Sequence, residues 1–220
     1  MSDIIPITDP DDPRIAAFRD IRERDLVGRR GLFIAEGEVV LRALARAHAR
    51  GTGHRARALL IAEQRVERQG DLIGAFPDDI PVHAAGQAVM DAIVGFPIHR
   101  GILALGERAS ERSAGEALAA LDGRPRALAL ALFGIANHDN MGGLFRNAAA
   151  FGADLVVLDS DCCDPLYRKA LRVSVGGALL VPHARLAPGE DAIGLFQAHG
   201  LTPIALPPAG TVALADLTPP

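Results

Sequence analysis

The feature of this sequence that most constrains its fold is the apolar run ALALALFGI at Ala127–Ile135. Its side chains are apolar on both faces of an extended chain, a pattern typical of a central parallel strand covered by helices on both sides. Asp154–Ser160 and Leu201–Pro207 are further short apolar runs that indicate strands, with helically spaced stretches between them. This alternation predicts a doubly wound parallel α/β sheet over residues 127–220.

Three helices and one more strand are predicted within this second half. Gly152 lies where a glycine would end the first of these helices. The predicted helices span about Gly143–Phe151, about Asp164–Gly177 and about Asp191–His199, and the predicted strand is LLVPHA at residues 179–184.

The first part of the chain alternates in the same way, which predicts a small α/β unit over residues 1–107. Residues 108–126 differ in composition, and Ser113 and Glu116 have the spacing of a capping box, which indicates a linker with one short helix. The second domain then covers residues 127–220. The elements predicted before the linker are strands at 31–37, 56–63, 81–85 and 101–107, and helices at 12–26, 39–50 and 89–94.

Composition excludes several classes of protein. With 220 residues, 49% hydrophobic and 23% charged, the chain can build a core and is not disordered. It has no bilayer-length apolar run and no signal-peptide pattern, so we expect a soluble cytoplasmic protein without membrane contact. The adjacent Cys162 and Cys163 give no disulfide framework, and the scattered histidines imply no metal.

Charge is unevenly distributed along the chain. The net charge is −4, yet residues 14–68 hold 13 arginines and seven acidic residues. A basic half joined to an acidic half suits a protein that contacts phosphate with one end. Solvated helix faces explain the same charges equally well.

The segment NHDNMGG at residues 137–143 lies between a predicted buried strand and a predicted helix, at the edge of the sheet where ligands bind. We interpret it as a turn whose following helix exposes N–H groups to an anion. Arg146, one turn into that helix, could then reach a bound phosphate. A glycine-containing turn with an arginine on a solvated face remains the alternative. Asp159 and Asp161 allow a dinucleotide site, but no G-x-G-x-x-G pattern supports one.

Taken together, Asn140, Gly142, Arg146, Ala148, Phe151 and Gly152 form the pattern N-x-G-x-x-x-R-x-A-x-x-F-G. This pattern resembles the first motif of the SpoU family of RNA 2′-O-ribose methyltransferases. The stretch DPLYRKALRVSVGGALLVPHARL also resembles that family, and GLFIAEGEVVLRAL, with Phe33, Glu36 and Gly37, resembles the start of its RNA-binding domain.

The resemblance implies methyl transfer from S-adenosylmethionine to a ribose 2′-hydroxyl of ribosomal or transfer RNA, by a homodimer with a trefoil-knot fold. It makes Arg146 the catalytic arginine and Asn140 the turn-shaping asparagine. The family grips its cofactor with a Gly-Glu-Gly loop and an Ile-Pro segment, and the sequence stops before both. The alternatives are a truncated chain and a natural remnant that cannot methylate, and the intact Arg146 turn favours truncation. In either case we expect an incomplete knot, with cofactor contact limited to Leu206 and Pro207.

The resemblance also places arginines around an RNA-facing strand in the first domain, while the basic helix of the second domain offers a phosphate path or simply a solvated face. The predicted RNA-binding residues are Arg22, Arg29, Arg30, Gly142, Arg168 and Lys169. With one Tyr and no Trp, recognition by base stacking is not expected. Two other functions remain open: a non-catalytic RNA-binding protein on the same fold, and a nucleotide-dependent oxidoreductase.

Overall fold

Two β-sheets organise the chain. The structure is a computed structural model that describes residues 3–19, 31–51, 53–94, 101–206 and 212–216. Within these residues, one sheet has the strand order β1-β4-β3-β5-β2 and the other the order β6-β7-β8. The strands are β1 (Ile4–Ile7), β2 (Leu32–Glu36), β3 (Arg55–Ala62), β4 (Val82–Ala85), β5 (Ile102–Glu107), β6 (Ala129–Leu132), β7 (Leu155–Leu158) and β8 (His183–Arg185).

Helices connect most of these strands. The capping box predicted from sequence is present: Ser113 and Glu116 satisfy each other's backbone N–H groups. The side chain of Asp191 also caps a helix, by accepting the N–H of Gly194. The helices are α1 (Glu38–Ala49), α2 (Gly70–Ile73), α3 (Gln87–Val94), α4 (Ala114–Ala119), α5 (His138–Ala150), α6 (Arg168–Val173), α7 (Gly177–Leu180) and α8 (Ala192–Ala198), with a 3₁₀ helix at Pro13–Phe18.

The first sheet is mixed. Strands β1, β4 and β3 pair in parallel, whereas β5 pairs antiparallel with both β3 and β2. The α/β unit predicted from sequence is confirmed, but β1 was not predicted. This strand has only four residues, one of them Pro6, and shows no alternation; its pairing with β4, where Ile4 lies opposite Val82, is what holds it extended.

The second sheet is parallel throughout, with Leu130 opposite Val156 and Val156 opposite His183. Alternate residues of β7 face opposite sides. Val156 and Leu158 pack in the core that includes α5, α6 and α7, and Leu155 and Val157 pack with α4 and α8. The predicted doubly wound arrangement is therefore confirmed.

Two strands predicted in the second half differ from the structure. Residues 201–206 form no strand: Ile204 and Leu206 are exposed, and no described strand pairs with this segment to satisfy its backbone groups. Pro207 lies outside the described residues. The strand predicted at residues 179–184 begins only at His183, because Leu179 and Leu180 belong to α7.

The long helix predicted over about Asp164–Gly177 is also wrong, since it is divided into α6 and α7. Val175 and Gly176 both have positive φ, 56° and 80°, which ends α6. The kink brings Gly176 against α1, where an added Cβ would lie 2.4 Å from the Cβ of Ala43. The tertiary contact therefore requires glycine and a break at this position.

The two sheets share one interface rather than sitting apart. A continuous hydrophobic core joins Phe33 and Leu41 of the first half to Phe145 and Val156 of the second. Arg108 also pairs with Asp164 at 3.0 Å, with both side chains largely buried. Helix α4, in the predicted linker, packs on the second sheet, and the domain boundaries at residues 107 and 127 stay predictions.

In the parts of the chain that the structure describes, none of the helices combines the length and the hydrophobicity needed to span a bilayer.

Candidate functional site

The candidate site lies at the carboxyl edge of β6, where helix α5 begins. This helix starts at His138, so the prediction of a turn over residues 137–143 is wrong. The side chain of Asn137 accepts hydrogen bonds from the backbone N–H groups of Asp139, at 2.7 Å, and Asn140, at 3.1 Å. Because this cap satisfies the orphan donors of the first turn, the chain turns helical five residues earlier than its glycines suggest.

Asn137 is a residue that the sequence reasoning missed. An asparagine followed within two residues by an acid is a recognised helix start, and that signal was available in the Asn137–Asp139 stretch. The cap also changes the electrostatics. Two backbone N–H groups that could have bound an anion are occupied, so phosphate binding at this edge depends mainly on side chains.

Arg146 projects from the third turn of α5 and is exposed. Within the part of the chain that the structure describes, its guanidinium makes no hydrogen bond or ion pair with another residue. Asn140 is exposed as well, six residues earlier. At about 1.5 Å and 100° per residue, the two side chains stand about 9 Å apart along the helix and about 120° apart around it. They therefore contact different groups of a ligand rather than one shared atom.

Gly142 is buried on the side of α5 that packs against α6. An added Cβ would be 2.6 Å from the Cβ of Val173 and 2.7 Å from the carbonyl oxygen of Ala170, both on α6. The structure thus places Gly142 in a helix–helix contact, away from the surface that an RNA could reach.

The N-terminal ends of α5 and α6 lie side by side. The ring of His138 stacks on Tyr167 with centroids 4.7 Å apart, and the Lys169 ammonium pairs with Asp139 at 2.6 Å. Lys169 is half exposed, so this pair contributes little to stability, about 1 kcal/mol or less. It does hold a cation next to the start of α5.

Arg168 and Arg172 extend this basic surface toward the first sheet. Each lies near the buried carboxylate of Glu36, at the end of β2, at 3.8 Å and 3.9 Å respectively. We call Arg146, Arg168, Lys169 and Arg172 the basic face. Three further arginines predicted to bind RNA lie outside the described residues: Arg22, Arg29 and Arg30.

The described residues do not enclose a cofactor at this edge. An adenosyl group needs a largely apolar pocket that buries most of its surface. Phe133, which follows β6, is 56% exposed and Leu206 is 70% exposed, so the apolar side chains present do not fit S-adenosylmethionine by themselves.

A cavity of about 530 Å³ does lie elsewhere, between the two sheets. His54, Arg108, His183 and Arg185 are among the residues that line it, and Arg146 is not. Burial, together with the neighbouring His183 and Arg108, lowers the pKa of His54 to about 4, so this ring is neutral at physiological pH.

Asp159, the candidate for binding a dinucleotide ribose, is already engaged. Its carboxylate accepts hydrogen bonds from the backbone N–H groups of Gly134, Asp161 and Cys162, at 2.9 to 3.0 Å. Burial acts to raise the pKa of Asp159, but these hydrogen bonds outweigh it and hold the pKa below its ordinary value. The side chain fastens the loops after β6 and β7, which argues against the oxidoreductase alternative.

The described residues also contain no group of three or more His, Cys, Asp or Glu side chains placed to hold a metal ion.

Comparison with known proteins decides the family. The SpoU rRNA Methylase family matches residues 127–218. An uncharacterised tRNA/rRNA methyltransferase of Mycobacterium tuberculosis is 37% identical over 213 residues, which cover 94% of this chain and 69% of the relative. The chain belongs to the SpoU rRNA methylase family. The resemblance predicted from the Asn140–Gly152 motif is confirmed.

Two further proteins are similar to this chain. A 23S rRNA (guanosine-2′-O-)-methyltransferase of Photobacterium profundum is 30% identical over 107 residues, 49% of this chain and 44% of that protein. The crystal structure of an AdoMet-bound rRNA methyltransferase from Sinorhizobium meliloti superposes with a TM-score of 0.69 at 21% identity, covering 89% of this chain and 69% of that one. The SpoU fold predicted from sequence is confirmed by this superposition.

Proposed function

We propose that this SpoU-family protein transfers a methyl group from S-adenosylmethionine to a ribose 2′-hydroxyl of ribosomal or transfer RNA. The observation that carries the proposal is the position of Arg146. The family's first motif folds into α5, a helix that begins at the carboxyl edge of a parallel sheet, and it leaves this guanidinium exposed. Ligands of open α/β sheets bind at that edge.

The chemistry of arginine limits what Arg146 can do. A guanidinium stays protonated above pH 12, so Arg146 does not serve as a free base in the resting enzyme. A fork of N–H donors can instead bind the phosphate beside the target ribose and stabilise negative charge that develops on the 2′-oxygen. By holding the ribose in one orientation, these contacts would also remove part of the entropic barrier.

The rest of the basic face supports binding of RNA. Lys169 and Arg172 are exposed, and Arg168 is partly exposed, all on the helix next to α5. Contacts of this kind recognise the phosphate backbone and RNA shape rather than base sequence. Because they release counterions, RNA affinity is expected to fall steeply as salt rises.

The relatives support the same reaction and cofactor. The Photobacterium relative is named for 2′-O-methylation of guanosine in 23S rRNA, and the Sinorhizobium structure contains AdoMet. When bound, S-adenosylmethionine supplies the methyl group. We assign Leu206 and Pro207 to its contact surface, together with residues outside those described.

The test compares Arg146→Ala with Arg46→Ala, which removes another exposed helical arginine on α1. Methylation is followed as transfer of tritium from labelled S-adenosylmethionine to unmodified ribosomal and transfer RNA. Loss of a charge-stabilising donor costs about 10²–10³-fold in rate, so Arg146→Ala should lose nearly all activity and still bind cofactor in calorimetry. Arg46→Ala should remain active. Full activity of Arg146→Ala would remove this residue from catalysis.

The same measurements separate the two other functions. A protein that binds RNA but neither binds S-adenosylmethionine nor methylates would be a non-catalytic RNA-binding protein. Binding of NAD or NADP in place of S-adenosylmethionine would indicate an oxidoreductase.

We further propose that the protein acts as a homodimer in the cytoplasm, where its RNA substrates are found. Light scattering after size-exclusion chromatography should give twice the mass of one chain, and a monomer mass at micromolar concentration would contradict this.

A further inference from the structure

Glu36 is a buried acid that the proposed reaction does not use. It closes β2 in the first sheet, is only 6% exposed, and belongs to the first half of the chain. Its Oε2 atom is buried and has no hydrogen-bond partner among the described residues. The cations facing this oxygen come from the other half: Nε of Arg168 at 3.8 Å and Nη1 of Arg172 at 3.9 Å.

The distances decide what kind of contact this is. Both exceed the roughly 2.7–3.2 Å of a hydrogen bond, so attraction between Oε2 and the two guanidinium groups is Coulombic. A buried carboxylate is stable only when charge compensates it, and each of these arginines lies close enough to contribute. Among the described residues, neither guanidinium donates a hydrogen bond to this oxygen.

Glu36 also holds the two arginines in one place. They are one helical turn apart on α6, and a single carboxylate beneath them draws both side chains toward the end of β2. Helix α6 in turn packs against α5 through Gly142 and Val173. The chain of contacts thus runs from the first sheet through α6 to the helix that carries Arg146.

We propose that Glu36 is a positioning residue: it fixes Arg168 and Arg172 of the basic face so that RNA phosphates meet them in register with Arg146. The inference rests on the proposed function and extends it, because it makes the first sheet responsible for the geometry of the second sheet's RNA contacts. It also explains why an acidic residue, Glu36, lies next to a surface proposed to bind RNA, where its negative charge would otherwise only weaken binding.

The test is Glu36→Gln, which keeps the side-chain shape and removes the charge. RNA affinity and methylation are expected to respond differently. Affinity for a fluorescein-labelled RNA hairpin should stay equal or rise, because a negative charge next to the basic face is removed. Methylation should fall about tenfold in kcat/KM, because the arginines are no longer held.

The matched control is Glu38→Gln, two residues away. Glu38 is exposed and pairs with Arg42 at 2.8 Å within α1, so its removal should leave both RNA affinity and methylation unchanged. The loss of methylation kcat/KM in the double variant Glu36→Gln/Arg172→Gln should be smaller than the product of the losses in the two single variants, because the two residues act as one unit.

Three results would overturn the proposal. Parallel loss of RNA affinity, methylation and thermal stability in Glu36→Gln would indicate a purely structural residue. Unchanged methylation would exclude positioning. The residues would not be coupled if the double variant changed RNA affinity by the product of the two single fold-changes and shifted the thermal midpoint by the sum of the two single shifts. The affinity and midpoint measurements need no methylation, so they test Glu36 even if the wild-type protein proves inactive and the proposed function fails.

Discussion

Gly142 of α5 and Val173 of α6 are in such close contact that a Cβ on the glycine would lie 2.6 Å from the Cβ of Val173. The carbonyl oxygen of Ala170 would be 2.7 Å away on the same side. This contact sets the separation of the two helices that carry the basic face. A glycine in the family's first motif is thereby explained by packing and not by contact with a ligand.

The first prediction concerns Gly142→Ala. The added methyl group overpacks a backbone contact, which costs about 1–3 kcal/mol, and the gain in helix propensity returns only about 1 kcal/mol. We expect the free energy of unfolding to fall by up to about 2 kcal/mol, measured by urea denaturation. Methylation should fall as well, since α6 must shift away from α5.

Gly143→Ala is the matched control for this prediction. It lies one position further along the same helix, and an added Cβ there meets nothing within 4 Å. Its free energy of unfolding should rise by up to about 1 kcal/mol through helix propensity alone. Equal effects of the two substitutions would show that the α5–α6 contact is looser than described.

The second prediction concerns the cap of α5. Asn137→Ala leaves the N–H groups of Asp139 and Asn140 without their acceptor, so the first turn should fray and stability should fall by about 1 kcal/mol. Asn137→Asp keeps an acceptor oxygen and adds a favourable charge at the helix N-terminus, so it should retain stability. Hydrogen exchange of the α5 amides distinguishes the two variants; identical protection in both would contradict the capping role.

The third prediction concerns acid stability. Burial, with smaller contributions from His183 and Arg108, lowers the pKa of His54 to about 4 from an ordinary 6.5. Between these values the unfolded chain binds a proton that the folded chain does not, so folding stability is lost as pH falls from about 6.5 to about 4. At about 1.4 kcal/mol per pH unit, His54 contributes a loss of about 3 kcal/mol over that window.

His54→Gln tests this dependence. Glutamine does not titrate and retains an oxygen that can accept the Ala109 N–H, which the His54 ring accepts at 3.1 Å. The free energy of unfolding of this variant is measured in urea between pH 4 and 7. It should change less steeply with pH than that of the wild type, by the equivalent of up to one bound proton. A residual slope is expected, because burial also lowers the pKa values of His183 and His83. A slope identical to that of the wild type would contradict the assignment.

The sequence alone correctly predicted the elements that depend on interactions between residues a few positions apart. The apolar run after Ala127 became a strand with helices on both of its faces, although among the described strands it is the outer one of its sheet and not the central one predicted. The capping box of Ser113 and Glu116 formed as predicted. The motif from Asn140 to Gly152 was sufficient to predict the family. In these places a periodicity or a cap acts between residues a few positions apart, so its physical cause can be read directly from the chain.

Sequence reasoning gave the wrong start for α5 because two local signals competed there. The glycines at 142 and 143 indicated a turn, and the cap at Asn137 indicated a helix. Packing decided between them: Gly142 is needed where α5 touches α6, and a helix is the conformation that brings it there.

Contacts between distant residues were decided by the tertiary structure alone. The break at Gly176 depends on its contact with Ala43, and the surroundings of Glu36 depend on Arg168 and Arg172. The residues in each set lie far apart in the sequence, and no periodicity or cap links them. These residues come into contact because one continuous core is buried between the two sheets. The free energy of that burial is gained only when the whole chain folds.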